Sequence, residues 1–362
     1  MIRVLHILAN LNRGGAETMI VNYYRHLDRS RVQFDFVVHT SSESAYDKEV
    51  IGMGGRIYRL PRFKGYNLIS YQQAWAKLLK EHPEWRIVHV HFFTIAGVIL
   101  PVAKRMRIPT RIVHSHMASP NFSMLEKTGN FILRRVALKY ATDRFACSND
   151  AGKYYFGNRS FIIVKNAIDT ERFIFNSQVR DEIRNRLGID KKNVIGHVGR
   201  FCDPKNHAFL VDVFNEIYKC NNDSVLLLVG NGPLQNQIRE KVKLLGLSDA
   251  VIFAGARDDI PQLMMAMDVF VFPSLYEGLG IVAIEAQAAG LHTILSDAVP
   301  DAAMITGLAH KISLREDACY WANQILLYDN HYTHGDISMK IRKAGYEIRD
   351  NIQWLENFYL SK

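Results

Sequence analysis

NVIGHVGRFCDPKNHAFLVDVFNEIYKCNNDSVLLLVGNGP, residues 193–233, reads as a strand, a helix and a second strand. Residues 193–199 form a short apolar run ending in glycine. HAFLVDVFNEIYK (207–219) repeats its apolar residues at the helical period, and SVLLLVG (224–230) is again continuous and ends in glycine. Continuous Val/Ile/Leu runs are what strands buried on both faces require, and a helix between two of them supplies the crossover of a parallel sheet. Downstream the alternation continues through a helix in LQNQIREKVKLLG (234–246), strands at 250–255 and 268–274, a helix from Ile281 to Ala289 and a strand at 292–296. Upstream, strands are expected at 2–9, 33–39, 56–60, 86–92, 110–116, 143–148 and 161–165. Amphipathic stretches such as 16–27 and 69–82 lie between them. The fold class is therefore α/β, with two doubly wound parallel sheets in series and a hinge over 166–173. The final stretch, 340–362, reads as one or two amphipathic helices.

The 362 residues are about two domains' worth, and their 48% apolar content is that of an ordinary globular chain. No apolar run approaches the roughly 20 residues that span a bilayer. The opening MIRVLHILANLNRGG lacks a small-residue cleavage site and is read as a first strand, so a cytoplasmic location is expected. Cys147, Cys202, Cys220 and Cys319 are scattered and contain no C-x-x-C pair, so free thiols are expected. The net charge of +9 is unevenly placed. Residues 1–168 hold 25 Lys+Arg against 11 Asp+Glu, a net of +14, while 169–362 hold 20 against 25, a net of −5. Such a basic half fits an anionic surface or ligand.

In open parallel sheets, ligands bind beyond the carboxyl ends of the strands, so the residues that follow each strand carry the functional reading. Gly14-Gly15-Ala16-Glu17 follows the first strand and opens a helix. Paired glycines there serve either a tight turn or the close approach of an anion to free helix N–H groups. The pattern is not G-x-G-x-x-G, which excludes the dinucleotide fingerprint. His89 and His91 share one face of their strand, as do His114 and His116. No carboxylate or cysteine stands at matching spacing, so no metal site is assigned. These histidines are either hydrogen-bonding groups for hydroxyls, His116 foremost, or buried and internally satisfied. Gly199-Arg200 and Lys205-Asn206-His207 place two cations after the strand 193–199, either as a surface pair or as the neutralising groups of a diphosphate. PSLYEGLGIVAIEAQAAG (273–290) is the most specific stretch. Its glycines leave the backbone open, and the helix that follows aims free N–H groups and a positive dipole end at a ligand. Glu277 precedes that terminus and is placed to hold a sugar hydroxyl. Glu285, about one turn inside, is placed to accept from a ribose diol.

With GGAE, NAIDTERF (166–173), GR-x4-K, GNGP (230–233) and E-x7-E in this order, practically the whole chain resembles glycosyltransferase family 4, the retaining transferases of GT-B fold. The resemblance implies two Rossmann-like domains facing each other across a cleft: an acceptor-side domain at 1–168 and a nucleotide-sugar domain at 169–344, with 345–362 crossing back onto the first. It implies that Arg200 and Lys205 stabilise a departing diphosphate, Glu285 binds the donor ribose, Glu277 holds the transferred sugar and His116 contacts it. Gly15, Gly199, Gly232, Gly278, Leu279 and Gly280 would line the donor side, and Gly14, Glu17 and His91 the acceptor side. After Ser296, where many members carry a Gly-rich loop with a glutamate, this chain has LSDAVPDAAMITGLAHKISL (295–314). That variant resembles bacterial exopolysaccharide and capsule transferases and leaves donor specificity open. The expected donor is a UDP-sugar by family habit. The expected acceptor is a surface-polysaccharide intermediate on a polyprenyl diphosphate, met at the inner membrane face by the basic half.

No D-x-D triplet occurs, so no cofactor and a metal-independent reaction are expected. Two other readings share the architecture: a nucleotide-sugar 2-epimerase, and a non-catalytic carbohydrate- or nucleotide-binding module. Nucleic acid is excluded as a partner, because the chain lacks clustered cations interleaved with exposed aromatics.

Overall fold

The computed structural model describes residues 1–92, 95–116, 124–328 and 335–362, with backbone alone over 124–128. The first sheet is built from β1 (Ile2–Ile7), β2 (Val32–Val38), β3 (Ile57–Arg59), β4 (Trp85–Val90), β5 (Thr110–Ser115), β6 (Asp143–Ala146) and β7 (Ile162–Ile163). The second is built from β8 (Asn193–Val198), β9 (Ser224–Val229), β10 (Val251–Gly255), β11 (Val269–Phe272), β12 (His292–Ser296) and β13 (Ala309–Ile312). Their orders are β3-β2-β1-β4-β5-β6-β7 and β10-β9-β8-β11-β12-β13, parallel throughout. In both, the strand order reverses beside the first strand of the sheet, between β1 and β4 and between β8 and β11. Those are the switch points where doubly wound folds leave a crevice.

Alternation along each strand feeds two apolar layers. Leu5 and Ile7 of β1 join Val88, Val90, Trp75 and Ile99 on one face, while Val4 joins Phe34, Phe36, Ile112 and Phe145 on the other. The second face is closed by the C-terminal helix Ile348–Leu360, which buries Ile348, Ile352, Leu355 and Tyr359 there. An ion pair of 2.7 Å between Arg31 and Glu356 fixes its edge. The chain accordingly divides into Met1–Ile168 with Gly345–Lys362, and Asp169–Ala344.

The expected strands at the sheet margins shorten. FIIVK contracts to β7, whose two residues are both exposed, because an edge strand lacks the second neighbour that holds a longer ladder. β13 was not expected at all: Ala309-His310-Lys311-Ile312 offers no apolar run, and at an edge it needs none. The tail resolves into two helices, Ser338–Lys343 and Ile348–Leu360. Among the described residues, no helix is long and apolar enough to cross a membrane.

Candidate active site

In the second unit, β8 and β11 pair only as far as Ile195↔Val269 and Gly196↔Phe270, and beyond that they diverge. His197 bridges the opening by donating from Nδ1 to the Val271 carbonyl at 2.8 Å. The loops on either side of this opening carry most of the expected donor residues. Gly199 and Arg200 leave β8, and Lys205 closes the single 3-10 turn Asp203–Lys205. Across the switch point, Ser274 to Gly280 leave β11, and the Leu275 amide donates to the Pro204 carbonyl at 2.8 Å, tying the two loops together.

Lys205 and Glu277, 72 positions apart in the sequence, form an ion pair of 2.5 Å. The Lys205 ammonium also lies over the Phe272 ring, 4.6 Å from its centroid. Both side chains are largely buried, so the pair attracts more strongly than a surface ion pair and each partner fixes the other's rotamer. Arg200 is exposed and makes no hydrogen bond or ion pair among the described residues. A guanidinium in that state is available for an incoming anion.

The helix Ile281–Ala288 begins at Gly280, whose φ of +80° is left-handed and therefore suits glycine. No side chain caps this terminus, so its first N–H groups face the same loop cluster as Lys205 and Glu277. Leu279 is buried and anchors the loop, while Gly278 is half-buried beside Glu277. One turn on, the Glu285 carboxyl is pushed up to about 7 because the surrounding protein desolvates its anion. Arg172 opposes this and pulls the value down. Among the described residues the Glu285 carboxyl accepts no hydrogen bond. An ionisable carboxyl largely shielded from water, with no hydrogen bond of its own, is ready to accept from a ligand's hydroxyls.

Two glycines assigned to the donor side are explained by packing. A Cβ at Gly232 would stand 2.3 Å from the Phe201 carbonyl oxygen, and one at Gly199 would stand 2.9 Å from His197 Nε2. Gly232 thus lets the GNGP turn press against the loop that presents Arg200, where Phe201 N–H donates to Asn231 O at 3.1 Å. Three further residues belong to this cluster and were not foreseen. Arg172 lies within the NAIDTERF stretch, which the sequence marks as a hinge and not as the source of a site residue. His197 and His207 meet edge to face beside Lys205, with ring centroids 4.7 Å apart and planes 77° from parallel. Burial lowers His197 to about 4, the Val271 bond opposing it and Lys205 assisting it. Burial, then His197 and Lys205, lowers His207 to about 2. Both rings are therefore neutral and leave the cationic character to Lys205 and Arg200.

In the first unit, Gly14-Gly15 follow β1, and the histidines lie on β1 and on or just past β4 and β5, the strands at and beside the switch point. Gly14 caps the helix Gly15–His26. A side chain at 14 would displace the Glu17 carboxylate, whose Oε2 lies 2.3 Å from where a Cβ would stand, whereas one at Gly15 would meet nothing within 4 Å. Burial raises the Glu17 carboxyl. The four expected histidines share one sheet face and are joined there by His6 of β1, which reading the strands singly had missed. All five are neutral, chiefly because burial disfavours the cation. In two overlapping triplets, His6/His89/His91 and His91/His114/His116, ring nitrogens approach within 4.8 Å of one another, which is within reach of a metal ion. The rings, however, lie face to face: His89 on His91 at 4.1 Å and His114 on His116 at 4.0 Å, both 29° from parallel. Imidazole lone pairs lie in the ring plane, so stacked rings send theirs side by side rather than to one point. Both nitrogens of His91 are also engaged already, at 2.9 Å each, with His6 and His116. The arrangement suits hydrogen bonding better than ligation.

The comparisons with known proteins agree with this architecture. Residues 13–172 match the model of Glycosyltransferase Family 4, and residues 179–310 that of Glycosyl transferases group 1. EpsF of Bacillus subtilis (strain 168), itself a glycosyltransferase by inference, is 36% identical over 99% of this chain and 96% of its own length. The UDP-Gal:alpha-D-GlcNAc-diphosphoundecaprenol alpha-1,3-galactosyltransferase of Escherichia coli is 29% identical over 61% of this chain and 60% of its own. Among solved structures, Anabaena Alr3699/HepE in complex with UDP and glucose superposes over all of both chains with a TM-score of 0.82 at 20% identity.

Proposed function

The chain belongs to the glycosyltransferases of GT-B fold, and on that premise we propose that it moves a hexose or N-acetylhexosamine from a UDP-sugar to a lipid-linked intermediate of a surface polysaccharide, with retention of anomeric configuration. The observation that carries the donor half is the grouping at the second switch point. Lys205, exposed Arg200 and an uncapped helix N-terminus stand beside Glu277, with Glu285 one turn inside the same helix. Lys205, Arg200 and the helix amides would take the charge that builds on the diphosphate as the glycosidic bond breaks. A single well-aimed donor of this kind is worth roughly 3–4 kcal/mol in the transition state. Glu285 would accept from the ribose diol and Glu277 from a hydroxyl of the sugar. With two cations and a helix end at the diphosphate, the scheme needs no divalent ion.

The acceptor half rests on the basic first unit and on relatives. The E. coli relative's name gives both a UDP-sugar and a diphosphoundecaprenol acceptor. In the helix Met124–Tyr140, Phe131 and Ile132 are 51% and 58% exposed, and Arg135 stacks over Phe131 at 4.8 Å. Exposed apolar side chains beside cations suit an anionic membrane surface, where each cation contributes about 1 kcal/mol. His116 would contact the transferred sugar, Gly15 would serve the donor phosphate, and His91, Gly14 and Glu17 would meet the acceptor.

The test is a thermal-stability screen of the pure protein against UDP-, GDP- and ADP-sugars, since a ligand that binds the native state raises its apparent stability. It is followed by anomeric analysis of the product. Stabilisation by a UDP-sugar and a retained anomer are expected; indifference to every nucleotide sugar would overturn the reading.

A further inference from the structure

The five histidines form two hydrogen-bonded strings across β1, β4 and β5. In one, His6 Nδ1 meets His91 Nε2 and His91 Nδ1 meets His116 Nε2, both at 2.9 Å. In the other, the Tyr359 hydroxyl meets His89 Nδ1 at 2.7 Å and His89 Nε2 meets His114 Nδ1 at 3.2 Å. In the first string the two outermost nitrogens, His6 Nε2 and His116 Nδ1, are buried and unpartnered among the described residues.

A neutral imidazole carries one N–H and one lone pair, so two bonds in series force all three rings to point the same way. Either His6 donates to His91 and His91 to His116, leaving an N–H on His116 Nδ1, or every proton shifts and the spare N–H falls on His6 Nε2. The two ends are not equivalent. His6 is fully buried, with its ring against Phe34 at 4.1 Å and Phe36 at 5.8 Å, and its Nε2 has no hydrogen-bond partner among the described residues. His116 follows β5 at the carboxyl edge and is only partly buried. Both end nitrogens are covered, but only the His116 ring has any exposure, so the spare donor is assigned to His116 rather than to the fully buried His6. Passing a proton inward instead would leave a cation on His6 among the phenylalanines, and burial already disfavours that form strongly.

We propose that His6 and His91 are positioning residues that fix His116 in its Nδ1–H tautomer, so that His116 offers a hydrogen-bond donor, and not a general base, to an oxygen of the bound sugar. The partner it selects is a lone-pair oxygen, a hydroxyl or a phosphoryl oxygen, and not a cation. The sugar contact rests on the glycosyltransferase reading above; the tautomer does not.

The full-length protein, labelled with 15N-histidine and free of substrate, tests the tautomer directly through two-bond 1H–15N correlations at neutral pH. His116 is expected to show the Nδ1–H pattern. An Nε2–H pattern or an imidazolium overturns the proposal whatever the activity. In His91→Phe the string is cut and His116 is expected to populate both tautomers. His91→Gln, which keeps one acceptor and one donor between the neighbours, is expected to restore the single pattern. An unchanged His116 spectrum in His91→Phe overturns the positioning role. Turnover in His91→Phe should fall about tenfold and recover in the Gln variant, the scale of one neutral hydrogen bond. If the tautomer is as expected and His116→Phe turns over normally, the sugar contact fails and the tautomer assignment stands.

Discussion

Replacing Glu285 by glutamine should make the protein more stable and nearly inactive, and both effects follow from one feature. The carboxyl is raised from an ordinary 4.5 to about 7 by desolvation. In the unfolded chain it ionises above pH 4.5; in the folded chain it keeps its proton until about pH 7. Between those values the native state binds more protons than the unfolded state, so the Glu285 contribution to stability falls as pH rises. At about 1.4 kcal/mol per pH unit, the accumulated penalty is of order 3 kcal/mol by neutral pH and constant above it. Glutamine has nearly the same shape and never ionises. The Glu285→Gln variant should therefore match the wild type near pH 4.5, gain on it steadily to pH 7, and hold a lead of roughly 3 kcal/mol beyond. Urea unfolding at a series of pH values measures the gap, and nucleotide release from the cognate donor measures the loss of turnover. A gap that does not widen with pH would show that the carboxyl is not held in a dry pocket and would refute the reasoning.

Lys205→Ala should lower turnover by about two to three orders of magnitude, as for loss of one preorganised donor; retention of near wild-type nucleotide release would remove Lys205 from the diphosphate site. Activity should persist in EDTA, and complete loss restored by magnesium or manganese would refute the metal-free scheme. Gly15→Ala should fold normally or gain up to about 1 kcal/mol, because a Cβ there meets nothing and alanine favours the helix. Its turnover should nonetheless fall tenfold or more if a ligand needs that space, so unaltered kinetics would make Gly15 a plain turn residue.

Periodicity made the two sheets legible, because strands buried on both faces have little choice but continuous apolar runs. It fails at the sheet's margin: β13 passes through His310 and Lys311, and an edge strand with a ladder neighbour on one side only tolerates them half-buried, His310 against Tyr328 and Lys311 against Asp301. Candidate site residues are legible where glycine and charge follow a strand directly, as at Gly199-Arg200 and Gly278 to Gly280, which the fold sets on the two loops of one switch point. Arg172 stayed hidden because its role depends on a turn, Thr170–Phe173, meeting a helix more than a hundred residues later. His6 stayed hidden for a related reason. It sits inside a strand with no motif around it, and only the β1–β4 register, His6↔His89, sets it in line with the other histidines.

The two units handle polarity in opposite ways at equivalent places in the same fold. At the β8–β11 switch point the polar groups are charged and only partly paired, with Arg200 and the helix terminus left to a ligand and Glu285 uncomfortable as an anion. At the β1–β4 switch point they are neutral, densely hydrogen-bonded to one another, and held so by burial. A reaction that expels a diphosphate needs preorganised charge where the leaving group departs. Charge on the opposite partner, a neutral hydroxyl acceptor, would only have to be desolvated again. Under the proposed function, neutral histidines would supply directional donors there without that cost, provided the proton is fixed as proposed for the string that ends at His116. The same logic predicts that His6→Lys, placing a fixed charge at the buried end, is far more damaging than His6→Phe. The first leaves an unpaired cation among Phe34 and Phe36, while the second removes one hydrogen bond. Comparison of their unfolding midpoints checks this, and equal losses would mean that the buried end of the string is wet.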